Sequence, residues 1–138
     1  MKSIVEEILK EANKAYKKGE IPVGCAVVRN GKLISKAHNT KQRTHNCINH
    51  AEILAITKAS KKQKDWRLDD CELYVTLEPC DMCMEVIRQS RIKQVYYLLE
   101  SKFNNEKKKI ITKNKINDVD KMCENYKRQL SAFFANKR

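Results

Sequence analysis

The sequence predicts one α/β domain over residues 1–138, a sheet covered on both faces by helices. Three observations lead there. Apolar residues recur at helical spacing near the start, short β-type apolar runs then alternate with helical segments, and no repeat or linker divides them. A chain of 138 residues is also long enough to build a core without disulfide staples.

Ser3 and Glu6 have the spacing of a capping box, and Ile4, Val5, Ile8, Leu9, Ala12, Ala15 and Tyr16 follow at helical intervals. Gly19 is placed to end that helix in a left-handed conformation. The runs Cys25-Ala26-Val27-Val28 and Leu33-Ile34 flank Asn30-Gly31, a hairpin signal because the favoured turn needs positive φ at both central residues. A polar stretch from Asn39 to Asn49 precedes a helix carrying Ala51, Ile53, Leu54, Ala55, Ile56 and Ala59. Leu73 to Leu77 reads as a buried strand ended by Glu78-Pro79, Cys80 to Ser90 as a helix, and Val95 to Leu99 as a second strand. Ile110-Ile111-Thr112 reads as a short strand, and from Asp118 onward Val119, Met122, Cys123, Tyr126, Leu130 and Phe133 mark a last amphipathic helix.

Composition narrows the classes. The longest apolar stretches are only a few residues, which excludes a membrane-spanning helix. Acidic Glu6 and Glu7 stand where a signal peptide needs an apolar segment, so the expected compartment is the cytoplasm, with reduced thiols. Six cysteines are then metal ligands or buried apolar residues rather than three disulfides. The formal net charge of +12 suits a polyanionic partner, although most of the basic residues are lysines and a solvated lysine face needs no ligand.

The chemistry lies in His50-Ala51-Glu52 and Pro79-Cys80-Asp81-Met82-Cys83, each where a loop turns into a helix. Two cysteines three apart put both sulfurs at the first turn, where orphan N–H groups and the positive dipole end favour thiolates. With an imidazole from His50, the set suits tetrahedral zinc, one ion per subunit. Three protein ligands leave a fourth position for water, the catalytic pattern; a closed structural site would need Cys71, Cys47 or His45 in addition. Glu52 is close enough to His50 to carry protons without binding metal. His-x-Glu followed by Pro-Cys-x-x-Cys is the signature of zinc nucleobase deaminases. A thioredoxin-like reading fails, because Asp81-Met82 between the cysteines and the lack of a preceding aromatic do not fit it.

The sequence resembles the bacterial tRNA-specific adenosine deaminases, which convert the wobble adenosine of an anticodon to inosine. The likeness covers roughly the first hundred residues: Gly19-Glu20-Ile21-Pro22-Val23-Gly24, Ala37-His38-Asn39, His50-Ala51-Glu52-Ile53, Trp66-Arg67-Leu68, and the run from Leu73 to Cys83. Near the end, Cys123 and Phe133-Phe134 are spaced like that family's last helix. The resemblance implies a cytidine-deaminase-like three-layer α/β/α sandwich with a central mixed sheet of about five strands, assembled as a homodimer. It implies zinc on His50, Cys80 and Cys83, Glu52 as the catalytic proton carrier, and Asn39 bonded to the target nucleoside. Val23 and Ala51 would form pocket wall and floor, with Phe133 and Phe134 enclosing the flipped base of a tRNA anticodon stem-loop. The chain departs from the pattern at Asn46-Cys47-Ile48-Asn49, where the family has Asp-Pro-Thr-Ala, and over residues 98–117, which contain no glycine.

Two lysine clusters, Lys58-Lys61-Lys62-Lys64-Arg67 and Lys102-Lys107-Lys108-Lys109, are candidate phosphate contacts or solvated faces. Three rival functions share these features: a deaminase of free cytosine, guanine or a nucleotide; a zinc-stabilised RNA-binding module without catalysis; and a non-catalytic dimeric scaffold. An intact Glu52 speaks against the second, and the third has only the lysine faces in its favour.

Overall fold

In the computed structural model, which describes residues 2–101 and 112–136, helix α1 spans Lys2–Lys17 and buries Ile4, Val5, Ile8, Ala12 and Ala15 along one face. It begins at Lys2, so Ser3 lies inside the first turn and not at the cap that its spacing from Glu6 suggests. Gly19 ends the helix as expected. At φ 76° its N–H donates to the Tyr16 carbonyl (3.2 Å), and the Glu20 N–H donates to the Ala15 carbonyl (3.0 Å). That pairing requires a left-handed residue, which a Cβ disfavours.

Strands β1 (Gly24–Arg29) and β2 (Lys32–His38) form the expected hairpin, with φ 51° at Asn30 and 74° at Gly31. The ladder shifts register between Val27 and Val28. Gly24 has a reason that the sequence pattern does not reveal: a Cβ there would lie 1.9 Å from the Ile8 carbonyl oxygen. Glycine lets α1 lie this close to β1.

A four-residue helix, α2 (Lys41–Thr44), sits in the stretch read as polar loop. Helix α3 (Ala51–Gln63) leads to β3 (Glu72–Leu77), α4 (Asp81–Gln89), β4 (Gln94–Leu99), β5 (Thr112–Lys115) and α5 (Asp120–Ala135). The Ile110-Ile111 pair expected to open the last strand lies outside the described residues; the described part of β5 is the polar run Thr112–Lys115. As an edge strand it needs only one bonded neighbour and gains solubility from Lys113 and Lys115.

The sheet order is β2-β1-β3-β4-β5, with β1 antiparallel to both β2 and β3, and β3-β4-β5 parallel. Alternate side chains face opposite layers. Cys25, Val27, Leu73 and Val75 pack with Ala55, Ile56 and Ala59 of α3 and Ile87 of α4. Ala26, Val28 and Tyr74 pack with Val5, Ile8 and Ala12 of α1 and Tyr126 of α5. Helices therefore cover both faces of a mixed five-stranded sheet, the three-layer sandwich that the sequence predicts. No helix among the described residues is long and apolar enough to cross a membrane.

Candidate metal centre and active site

Two helix N-termini meet at one end of this sandwich. His50 is the N-cap of α3 and Cys80 the N-cap of α4; both have extended backbones, and neither uses its side chain to cap the helix. Their side chains are thus free to turn toward each other. Cys83, one turn into α4, is fully buried beside them. The His50 Nδ1 lies 3.9 Å from the Cys80 Sγ and 3.5 Å from the Cys83 Sγ, and the three ligand atoms lie within 4.8 Å of one another.

These distances test the metal. Zinc–nitrogen and zinc–sulfur bonds of about 2.0 and 2.3 Å at a tetrahedral angle place nitrogen and sulfur about 3.5 Å apart. One observed separation, 3.5 Å, matches that value and the other, 3.9 Å, is slightly longer, so the donor set fits one zinc ion. Among the described residues no fourth metal-binding side chain joins the group. Cys71 is buried in the core under α3, and Cys47 is exposed, so neither closes the site.

The electrostatics agree with a ligand role. Hydrogen bonds from Cys83 and His50 pull the Cys80 thiol down to about 3. Cys83 is pushed the other way by its bond to Cys80 and by burial, and the bond to Cys80 raises His50 despite burial. The Cys80 sulfur is thus held as a thiolate by the other two donors, the form in which cysteine binds a metal.

Glu52, in the first turn of α3, is only 4 % exposed. Burial lifts its carboxyl to about 7. A carboxyl that titrates near neutrality both takes and gives a proton, which general acid–base chemistry requires.

Of the other candidate residues, the structure links Asn39, Val23 and Ala51 to one another beside the donors, and places Phe133 and Phe134 apart from them on α5. Asn39 is buried, and its Oδ1 accepts the Ala51 N–H at 2.7 Å, next to both His50 and Glu52. The Asn39 N–H donates to the Val23 carbonyl at 3.3 Å. Val23 and Ala51 are both buried. The two phenylalanines differ: Phe133 is buried, whereas Phe134 is half exposed and meets it edge-on with ring centres 5.3 Å apart. Phe134 lines a cleft of about 540 Å³ with Leu77, Leu99, Glu100, Ser101 and Leu130.

Three groups went unseen in the sequence. The Glu20 carboxylate, 1 % exposed, accepts the N–H groups of Gln42 (2.9 Å) and Arg43 (2.8 Å) and so anchors α2 in the loop that leads to His50. Glu78 accepts from the Ser101 N–H (3.1 Å) and the Lys113 ammonium (2.8 Å), tying the ends of β4 and β5 to the turn before Cys80. Tyr126 of α5 bonds the Thr76 hydroxyl of β3 and the Pro22 carbonyl before β1. Only Glu78, beside Pro79, carries a local signal.

The first lysine cluster is partly structural. Lys58 donates to the Lys36 carbonyl (3.1 Å) and Lys62 to the Ile34 carbonyl (3.2 Å), covering the outer edge of β2. The second cluster, Lys102 and Lys107 to Lys109, lies outside the described residues.

An α/β/α sandwich with His, Cys and Cys converging at two helix N-termini and a buried Glu beside them defines a candidate zinc centre. Residues 1–99 match the model of the cytidine and deoxycytidylate deaminase zinc-binding region, and the chain belongs to that family. It is similar to the tRNA-specific adenosine deaminases of Streptococcus pyogenes (44 % identity over 93 residues, 67 % of this chain and 58 % of that protein) and Bacillus subtilis (45 % over 93 residues, 67 % and 58 %). That of Aquifex aeolicus is 47 % identical over 89 residues, 64 % of this chain and 59 % of that protein. The chain thus spans less than two thirds of the length of these relatives.

Among solved structures, one from studies of A-to-I editing by tRNA:A34 deaminases superposes with a TM-score of 0.77 at 28 % identity, covering 83 % of this chain and 98 % of that one. A guanine deaminase from Bacillus subtilis gives a TM-score of 0.67 at 34 % identity, covering 72 % and 64 %.

Proposed function

We propose that this protein is a zinc-dependent hydrolase that converts adenosine to inosine at the wobble position of tRNA. The observation that carries the chemistry is the buried Glu52 carboxyl in the first turn of α3, two residues from His50 and beside the Cys80 and Cys83 donors. The similarity to tRNA-specific adenosine deaminases over the same residues supports the substrate.

His50, Cys80 and Cys83 would hold the ion. When bound there, zinc acts as a Lewis acid that makes water nucleophilic near neutral pH. Glu52 takes one proton from the attacking water as its oxygen bonds to C6 of adenine. It passes that proton to the ring nitrogen N1, then takes the second proton from the new C6 hydroxyl and gives it to the amino group, so that the C6–N bond breaks, C6=O forms and ammonia leaves. The Oδ1 of Asn39 is engaged by Ala51, which leaves its NH2 group to donate to an acceptor on the nucleoside. Val23 and Ala51 form the apolar wall and floor, while Phe133 and Phe134 close the pocket from α5.

An anticodon loop is a suitable target, because extruding an unpaired base costs less than opening a duplex. In this reading residues 1–138 form one deaminase domain that works as a homodimer in the cytoplasm. The test is sequencing of tRNA incubated with purified, zinc-loaded protein. Adenosine-to-inosine conversion confined to the wobble position is expected; its absence from every tRNA overturns the reading.

A second reading, hydrolysis of a free base such as guanine, has one observation in its favour, the 34 % identity to the guanine deaminase. Ammonia release from free guanine that exceeds release from an anticodon stem-loop would select it.

A further inference from the structure

The last helix lies beyond the residues 1–99 that match the family model, yet one of its side chains is tied into the wall of the candidate pocket. Tyr126 is 2 % exposed, and its hydroxyl donates to the Pro22 carbonyl at 2.7 Å. The same phenolic oxygen accepts from the Thr76 hydroxyl at 3.1 Å. The Thr76 oxygen in turn accepts the Gly24 N–H at 3.1 Å. The carbonyl before Val23 and the N–H after it are therefore both held by one chain of bonds that starts on α5.

The chain continues toward the chemistry. The Val23 carbonyl takes the Asn39 N–H, and Asn39 Oδ1 takes the N–H of Ala51, which stands between His50 and Glu52. Burial holds the Tyr126 phenol above its ordinary pKa, so it acts throughout as a neutral O–H that both donates and accepts. Core packing alone asks only for the ring. The hydroxyl is desolvated, and its hydrogen bonds meet that cost only by holding the Pro22–Gly24 backbone in place.

We propose that Tyr126 is a positioning residue, whose hydroxyl sets the place of Val23, and through Val23 that of Asn39, relative to α5. The inference rests on the reading that Val23, Asn39 and Ala51 enclose the target nucleoside. A displacement of about 1 Å at a reacting centre can cost on the order of 100-fold in rate. Affinity for RNA comes largely from phosphate contacts. Loosening the wall should then slow turnover and leave RNA binding nearly unchanged.

The experiment uses the full zinc-loaded chain with Tyr126→Phe, which keeps the ring, Thr76→Val, which breaks the same chain from β3, and the double variant. Single-turnover deamination of an anticodon stem-loop is expected to fall about tenfold or more in each, with zinc content unchanged. The Kd for the same RNA, measured in a Glu52→Gln background, is expected to stay within about twofold. The double variant should be little worse than either single, because both remove one linked unit. An unchanged rate, a Kd that weakens as much as the rate falls, or additive losses would overturn the proposal. Amide exchange at Gly24 separates this inference from the proposed function. Faster exchange in Tyr126→Phe supports the link even if the parent protein proves inactive on RNA, whereas unchanged exchange defeats the link whatever the activity.

Discussion

Residues 20–99 and residues 112–136 are built differently. The first stretch is organised by backbone ladders, with four hydrogen-bonded strands and the candidate metal donors placed on the N-terminal ends of α3 and α4. The second holds to the rest by a short polar edge strand and an amphipathic helix in which only Tyr126 and Phe133 are buried. The difference teaches how the labour divides. Chemistry needs donors held to a few tenths of an ångström, which helix ends on a shared sheet supply. A surface that meets a substrate needs only a few anchors, and its remaining positions can diverge.

The strongest test of this division is Glu52→Gln. It should lower deamination by about 1,000-fold or more while zinc content and melting temperature stay near the parent values; a loss of zinc would mean that Glu52 belongs to the metal set. Cys83→Ala follows. Metal analysis should find the ion gone and activity with it, and chelation of the parent protein should reproduce both effects.

Next comes Glu20→Ala. Two backbone N–H groups lose a buried carboxylate, so stability should drop by about 3 kcal/mol in denaturant titration, with activity falling as the loop before His50 loosens. Acid separates a smaller contribution. Burial pushes the Glu11 carboxyl up, but hydrogen bonds from His38 and Lys14 outweigh it and hold the group below its ordinary 4.5. A depressed carboxyl contributes stability that is complete above about pH 4.5 and is lost as pH falls through its lower folded value. Glu11→Gln should therefore narrow the gap to the parent protein in unfolding titrations run below that pH, and keep it widest above.

The smallest effect on folding should come from the C-terminal region. Phe134→Ala removes a half-exposed ring, so stability should change by less than about 0.5 kcal/mol. A severalfold fall in kcat/KM on RNA with intact stability would place recognition on α5; an unchanged kcat/KM would break the division drawn here.

Much of this was legible from local patterns. Gly19 and Asn30-Gly31 announce their turns because the left-handed backbone they require is a property of one or two residues. His50-Ala51-Glu52 and Cys80 to Cys83 announce a metal site because ligand spacing along a helix turn is equally local. The Ser3–Glu6 spacing misled, since a cap pattern forms only where the helix begins, and α1 begins at Lys2. Of the strand expected at Ile110-Ile111-Thr112, only Thr112 lies among the described residues, and it pairs with Gln94 of β4.

The amino-acid sequence by itself brought out the order of the helices and strands other than α2, the three candidate metal donors, and the carboxyl beside them, all features carried by residues near one another in the chain. Only the tertiary structure decided that Gly24 must lack a side chain to admit the Ile8 carbonyl, that Glu20 anchors α2, and that Tyr126 reaches Pro22 from 104 residues away. Each of these is a meeting of distant backbone with a buried side chain. Such meetings leave no period or spacing in the sequence, because the distance that matters is the one created by folding.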